Sequence, residues 1–448
     1  MGAAPVSLPR PRLPALRYRP ARPADVETLA ELATIAYRVS SLEKRREFYT
    51  DHPRFDLRDV RVGDLEGRVV ASLVLYPIHA WVRGQKVALT GVGSVAVSPE
   101  HRRRGIGDSL MRSALREMRQ QGSPFSMLYA WRGSYYRRYG YGVVELVHQL
   151  AMSPANLPAS DHARGVRRLE LSDRPAVEAL YERVASQGHF ALARHREWWS
   201  ERLWTYPGDW VVYEGSQRGQ IEGYLHYEMD STQGAFRLAM TLDEFVAATP
   251  EAHRGLAGYL ASLADQVTEI HFAAPADNAW LAVLDTAQNL RPGAEIGLYT
   301  DNGGIATGAM LRVIDVEAGL EALPVSPLAR GEVVLEVDDP ILPANARAWR
   351  VSAREGRLEV AGEGALDGAQ SPRAGAKGAR SGARSAGAGA GRLPRLRVPA
   401  EVLGPIVAGT LSPTRAAEIG LVDSSGGAEA IEHWFRGRPA FVYQLNGF

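Results

Sequence analysis

Val95-Ala96-Val97-Ser98-Pro99-Glu100-His101-Arg102-Arg103-Arg104-Gly105-Ile106-Gly107 is the stretch on which the fold turns. An apolar strand enters a basic, glycine-bearing turn, and the turn opens an amphipathic helix. Such a junction aims backbone N–H groups, the positive end of a helix dipole and nearby arginines at one point, which makes an anion cradle. Ile106, Leu110, Met111, Leu115 and Met118 share one helical face, while Arg112, Arg116 and Arg119 lie mostly on the other. Gly105 and Gly107 let a polyphosphate approach the backbone where a Cβ would intervene.

Other readings of the stretch are weaker. A Walker loop needs Gly-x-x-x-x-Gly-Lys-[Ser/Thr], and no Gly-Lys pair of that kind occurs. Gly91-x-Gly93-x-x-Ala96 nominally matches the dinucleotide fingerprint, but its glycines enter a strand instead of leaving one for a helix. A solvated basic helix start would explain Arg102-Arg103-Arg104 alone, though not the strand before it and the helix after it. The spacing Arg102-x-x-Gly105-x-Gly107 closely resembles the pyrophosphate loop, [Arg/Gln]-x-x-Gly-x-[Gly/Ala], of the GNAT acetyltransferase superfamily.

Composition sets looser bounds. A chain of 448 residues, 45% of them hydrophobic, holds two or three domains on a prior of roughly 100–200 residues each. The formal charge of +1 gives no global basic field, so no nucleic-acid partner is expected. Lysine occurs only at positions 44, 86 and 377, which reads as genome composition and not as a phosphate-binding surface. Without cysteine there are no disulfides, thiolate metal sites or thiol nucleophiles. The eleven histidines show no His-Glu-x-x-His spacing, and a Gly-x-Ser-x-Gly elbow is absent, so no metal is expected. Met1 to Pro20 lacks the apolar core of a signal peptide, and no run of about 18 apolar residues exists. A soluble cytoplasmic protein with no membrane partner is the expectation.

An internal repeat organises the first two-thirds. Arg22-Pro23-Ala24-Asp25-Val26 and Arg174-Pro175-Ala176-Val177 each open a helix. Strand-rich segments follow in both: Val60 to Leu65, Val69 to Tyr76, Trp81-Val82 and Val87 to Leu89 in one, Trp210 to Tyr213 and Ile221 to Tyr227 in the other. Each copy then reaches a Pro-Glu…Gly loop, at Pro99-Glu100…Gly105 and at Pro250-Glu251-Ala252-His253-Arg254-Gly255-Leu256-Ala257. Pro23 precedes Gly105 by 82 positions and Pro175 precedes Gly255 by 80, which two copies of one α/β unit explain. The second loop has Ala252 where the first has Arg102, so the second copy is expected to pack, shape the cleft or assemble the oligomer, without binding a nucleotide.

From about Ile305 the pattern changes. Met310 to Ile314, Val333 to Val337, Ala348 to Val351 and Leu358 to Val360 read as strands, and Pro399 to Gly409, Pro413 to Ile419 and Ala428 to Phe435 as helices. Gly362 to Gly391 is low-complexity Gly/Ala/Ser/Arg and reads as a disordered loop. This end resembles the small α+β sterol-carrier-like fold, whose interior is read here as a core in preference to a lipid tunnel. The expected architecture is α+β: a flexible extension at 1–16, a catalytic GNAT domain at 17–160, a degenerate GNAT domain at 161–304 and a sterol-carrier-like domain at 305–448.

That order of parts resembles the Eis-type (enhanced intracellular survival) N-acetyltransferases over nearly the whole chain. The specific marks are the Val95-to-Gly105 stretch, the run Tyr135-Tyr136-Arg137-Arg138-Tyr139-Gly140-Tyr141-Gly142 and a final phenylalanine, Phe448. The resemblance implies transfer of acetyl from acetyl-CoA to an amine acceptor, small molecule or peptide, and assembly into trimers or hexamers. It places Tyr136 beside the sulfur as general acid and makes the Phe448 carboxylate the general base. A tyrosine of pKa ~10 can protonate a thiolate whose thiol has a pKa of ~8.5, and an α-carboxyl of pKa about 3.3–3.7 stays ionised at neutral pH. The apolar, aromatic tail Phe441-Val442-Tyr443-Gln444-Leu445-Asn446-Gly447-Phe448 is expected to be docked, unlike an ordinary frayed terminus. Coenzyme contacts are expected from Val95, Ala96, Val97, Arg103, Arg104, Gly105, Ile106, Gly107 and Asp108, with Trp131 and Arg132 on the far side, while Arg102 has an ion pair as its alternative.

Antibiotic-acetylating relatives carry an acidic residue before the terminal phenylalanine and an aromatic one before the Val-x-Val strand; this chain has Gly447 and Ser94 there. Aminoglycoside, polyamine and peptide lysine therefore all stay open as acceptors. A non-catalytic binding or assembly protein, with a relic coenzyme site and an apolar-ligand cavity in the third domain, is the alternative.

Overall fold

The computed structural model describes residues 16–38, 41–53, 55–217, 219–231, 238–284, 302–365 and 393–447. The first unit opens with β1 (Arg17–Pro20), α1 (Val26–Tyr37), α2 (Leu42–Thr50), β2 (Val60–Leu65), β3 (Arg68–Val82) and β4 (Gln85–Val97). It continues through α3 (Ile106–Gln120), β5 (Phe125–Tyr129), α4 (Gly133–Arg137), β6 (Gly142–Val143) and β7 (Leu146–Met152). The short strands read around Val69 and Trp81 are one strand, β3, and Val87 to Leu89 is part of β4. Most of β3 is buried on both faces, so its residues do not alternate between apolar and polar over that length. Val74, Tyr76 and Ile78 enter one core, and Leu73 and Leu75 enter the other. The apolar face of α3 closes that second core: Ile106, Leu110, Met111, Leu115 and Met118 are each at most 1% exposed. Leu16, assigned to the flexible extension, packs on this core too, and the rest of the extension lies outside the described residues.

The second unit comprises β8 (Val166–Arg168), α5 (Arg174–Ser186), β9 (His189–Leu192), α6 (Arg196–Glu201), β10 (Asp209–Glu214) and β11 (Ile221–Asp230). After these come β12 (Leu238–Ala247), α7 (Pro250–Ala261), β13 (Val267–Pro275), α8 (Trp280–Val283) and β14 (Gly303–Thr307). The expected loop from Pro250 to Ala257 is instead the start of α7, capped by Thr249, whose hydroxyl accepts from the Ala252 N–H at 3.1 Å. Its glycine serves packing: a Cβ on Gly255 would lie 2.4 Å from the Tyr213 ring.

The two units trade strands. β15 (Ala309–Val313) pairs with β5 and β6, giving the first sheet the order β1-β2-β3-β4-β5-β15-β6, with β9 added beside β3. β7, from the first copy, takes the matching place beside β13 in the order β14-β7-β13-β12-β11-β10-β8. A boundary at residue 305 therefore crosses this exchange: β14 and β15 belong to the acetyltransferase-like sheets, and the third unit proper starts after them.

That unit holds α9 (Val316–Glu321), β16 (Gly331–Asp338), β17 (Arg347–Arg354), β18 (Arg357–Ala365), β19 (Arg395–Pro399), α10 (Ala400–Val407), α11 (Pro413–Glu418), β20 (Asp423–Ser425) and α12 (Gly427–Ile431). Its sheet runs β18-β17-β16-β19-β20. The low-complexity segment begins later than read, since Gly362 is still paired with Trp349 in β18; its stretch 366–391 lies outside the described residues. The apolar interior lined by Leu335, Val351, Leu403 and Trp434 encloses about 20 Å³. That is room for about one water and far below the roughly 300–1,000 Å³ of a ligand pocket, so the interior is a packed core.

The chain then returns to the first two units. Ala440 bridges to Glu145, the Phe441 N–H donates to the His189 carbonyl at 3.1 Å, and the Val442 N–H donates to Glu145 Oε1 at 2.6 Å. His189 also joins the units, its Nε2 lying 3.0 Å from the Ala408 carbonyl oxygen. Burial, with Arg83 adding repulsion, pulls its pKa down to about 4. The unfolded chain binds this proton at about 6.5, so stability is full above that pH and falls by about 3 kcal/mol as pH drops to 4. Thermal denaturation should show this acid-side loss, and His189→Gln should flatten it; an unchanged pH dependence would remove His189 from the account.

Candidate active site

The first cavity exists because β4 leaves β5. Their parallel pairing is confined to Thr90 with Ser126 and Gly91 with Met127, and among the described residues no strand pairs with β4 beyond Gly91 on that side. A bulge follows, where the register against β3 shifts between Ser72 and Val74, and Ser94 takes a left-handed φ of 50°. The gap so made is a cavity of about 910 Å³, at the upper end of the roughly 300–1,000 Å³ usual for ligand pockets.

Val95, Ala96 and Val97 form one wall, and Arg103, Gly105, Ile106, Gly107 and Asp108 form the end. Trp131, Tyr135 and Tyr136 also border it, whereas Arg104 and Arg132 stand outside the lining. Arg103 and Gly105 have φ of 62° and 85°, the tight turn that points successive N–H groups toward the start of α3. Gly107 is needed for fit: a Cβ there would come within 2.8 Å of Tyr135 Oη. Arg102 makes no ion pair among the described residues; its Nε donates to the Val97 carbonyl at 3.1 Å and braces strand to turn. Asp108 is held by Arg112 Nε at 2.9 Å and by the Tyr139 hydroxyl at 3.1 Å, so its charge is covered.

The tyrosine run sorts itself by partners. Tyr139 and Tyr141 are fully buried, and the Tyr141 hydroxyl lies 2.7 Å from Ser126 Oγ. Tyr135 stacks edge-on against Tyr136 and Tyr139. Tyr136 borders the cavity, and its hydroxyl has no hydrogen-bond partner among the described residues. Burial raises its pKa well above the usual phenol value, with Tyr37, Tyr135 and Tyr141 adding to the effect.

A second cavity, of about 680 Å³, meets the first at Tyr37, Arg38 and Ser94. Phe48, His52, Tyr76 and Trp198 wall it, and Gly447 reaches it from the tail. The Tyr37 hydroxyl donates to the Val95 carbonyl at 3.2 Å, so it spans the junction. Sequence reading missed Tyr37 and Arg38. The available signal was an aromatic side chain one turn past the buried Ala33, at the end of α1 where the core face runs out.

The second unit anchors the tail. Asn446 is fully buried; its Oδ1 accepts from Arg194 Nε at 2.7 Å and its Nδ2 donates to Tyr181 Oη at 2.7 Å. Arg194 lies 3.7 Å over the Tyr181 ring and pairs with Glu244, which also accepts from the Tyr224 hydroxyl at 2.8 Å. The tail is docked, as its apolar composition predicts, while Phe448 lies outside the described residues. Asn446→Ala takes the acceptor from the buried Arg194 Nε, which costs about 1–3 kcal/mol, while the Tyr181 hydroxyl keeps its bond to the Leu192 carbonyl. We expect a lower Tm and at least a tenfold loss of kcat with acetyl-CoA affinity kept; full activity would detach tail anchoring from turnover.

Among the described residues no cluster of three His, Asp or Glu could hold a metal ion, and no helix is long and apolar enough to cross a membrane.

Comparison with known proteins agrees with this geometry. Residues 17–144 and 191–313 each match an acetyltransferase (GNAT) domain family, and residues 316–443 match the sterol carrier protein domain family. The chain thus comprises two GNAT-type acetyltransferase domains followed by a sterol-carrier-like domain. The N-acetyltransferase Eis of Mycobacterium tuberculosis is 29% identical over 299 residues, spanning 62% of this chain and 69% of that one. An uncharacterized N-acetyltransferase of Streptomyces coelicolor is 29% identical over 337 residues, spanning 71% and 77%. In fold, the chain is similar to Eis1 of Mycobacterium abscessus (TM-score 0.72, 22% identity, 97% of this chain and 100% of that one). It is likewise similar to a GCN5-related N-acetyltransferase of Anabaena variabilis (TM-score 0.78, 19% identity, 97% and 100%). Sequence and fold are thus both similar to Eis N-acetyltransferases.

Proposed function

We propose that the protein transfers acetyl from acetyl-CoA to a primary amine by direct attack, with Tyr136 as general acid and the Phe448 carboxylate as general base. The observation that carries this reading is the meeting of two cavities at Tyr37, Arg38 and Ser94, with an unengaged phenol in one and the tail entering the other. Acetyl-CoA supplies the activated acyl group as substrate. Val95, Ala96 and Val97 would flank its pantetheine arm as an added strand, and Arg103, Gly105, Ile106, Gly107 and Asp108 would surround the pyrophosphate, with Arg104 in support from outside the lining. Trp131 would close the far side, with Arg132 beside it from outside the lining.

The amine arrives as a cation and must lose a proton to attack. A carboxylate attracts the cation and accepts its proton, directly or through water. The departing thiolate takes a proton from Tyr136. Burial favours the neutral phenol, but it equally penalises a thiolate beside it, so the difference between the two groups changes less than either value. A backbone N–H of β4 is the candidate donor to the thioester oxygen. The second unit would bind no coenzyme, since α7 starts where a cradle would be needed.

Assembly into trimers or hexamers is part of the proposal, and exposed Leu171, Ile305 and Leu328 are candidates for burial between subunits. Acetyl-CoA-dependent thiol release with a panel of amines tests the activity; no release with any amine, while acetyl-CoA binds, would overturn it.

A further inference from the structure

The charge of the second cavity narrows the acceptor. Its lining includes Arg38, Lys44, Arg45 and Arg202, and no aspartate or glutamate among the described residues. None of these four has a carboxylate within ion-pair distance among the described residues. Arg45 lies over the rings of Tyr37 and Phe48, at 5.7 and 5.4 Å from their centroids. Arg202 lies over Trp198 and Tyr206 at 5.5 and 5.9 Å. Arg19 and Arg167, by contrast, are paired, with Asp25 at 2.7 Å and Asp173 at 2.6 Å. The nearby acids are turned away: Glu27 holds Arg46 at 2.8 Å, and Glu43 and Glu47 are exposed outside the lining.

Like charges around a concave, partly apolar surface add their potentials within it, so the cavity repels a polycation and concentrates an anion. One carboxylate at the chain end would offset a single charge of the four. Phe48, Tyr76 and Trp198 supply flat apolar walls beside those charges. We infer that the acceptor is a primary amine on an aromatic frame that also carries a carboxylate, held by Arg38, Lys44, Arg45 and Arg202. This inference rests on the acetyltransferase reading and excludes aminoglycosides and polyamines as preferred acceptors.

The test compares three amines of one shape: 4-(aminomethyl)benzoate, benzylamine and 4-(aminomethyl)benzylamine, which present a negative, neutral or positive far end. Thiol release should give the carboxylate at least a tenfold higher kcat/KM than benzylamine, with the dication lowest. Arg202→Glu should shrink that preference at least tenfold, mainly through KM, while acetyl-CoA affinity stays unchanged. A dication equal to or better than the carboxylate, or an ordering indifferent to Arg202→Glu, overturns the inference. Should no amine turn over, the acetyltransferase reading fails, and calorimetry still decides the cavity's preference. There 4-(acetamidomethyl)benzoate should bind at least tenfold more tightly than N-benzylacetamide, and equal affinities would sink the inference.

Discussion

Tyr136→Phe should lower kcat by about 10²–10³-fold, within the range for loss of a positioned general acid, and leave acetyl-CoA affinity within about twofold of the parent. The substitution removes one oxygen from a side chain that stays packed against Tyr135 and Tyr141. That hydroxyl makes no protein hydrogen bond among the described residues, so its loss strands no partner, and Tm should hardly move. Stopped assays of thiol release, with calorimetry for acetyl-CoA, separate the two effects. The neighbouring hydroxyl serves as a control: Tyr141→Phe removes a buried bond to Ser126 Oγ, which keeps its bond to the Thr90 carbonyl, and should affect stability before rate. Near-normal turnover in Tyr136→Phe would end the assignment and shift attention to Tyr37, whose hydroxyl sits on the Val95 carbonyl at the junction of the cavities.

The second large effect is expected at the other end of the reaction. Adding three residues after Phe448 converts its carboxylate into an amide, which can neither attract nor deprotonate an ammonium group. We expect kcat to fall at least 100-fold with Tm and acetyl-CoA affinity unchanged, because the anchors at Glu145, Arg194 and Tyr181 all precede the change. The pH profile adds an independent reading. With a base ionised from about pH 4 upward, kcat/KM should climb with the free-amine fraction and show no inflection near 6.5. Unchanged turnover in the extended chain, with an inflection in that region, would transfer the role to His52, which borders the second cavity.

Much of this site was legible in local sequence. The face of α3 followed from the spacing of Ile106, Leu110, Met111, Leu115 and Met118, and the turn from Arg103 and Gly105. Both signals are short-range: they depend on helical period and on one left-handed turn. The second copy misled because Pro250-Glu251 with Gly255 has the composition of the first turn without its backbone. Proline in the first turn and a Thr249 cap let the helix begin there, so no loop is left to receive an anion.

What the sequence by itself determined is the part written in nearest neighbours: two acetyltransferase-like copies, a third α+β unit, the cradle and an apolar tail. What only the tertiary structure decided is which segments share a sheet or a cavity. β15 joins the first sheet between β5 and β6 from the far side of the second copy, and β7 returns the exchange between β13 and β14. Trp198 and Arg202 of the second unit stand with Arg38 and Arg45 of the first around one cavity, and Gly447 joins them from the end of the chain. Residue spacing carries no record of such meetings. They arise when long strands find their partners and the buried polar groups of the tail find theirs, and the charge of the second cavity appears only then.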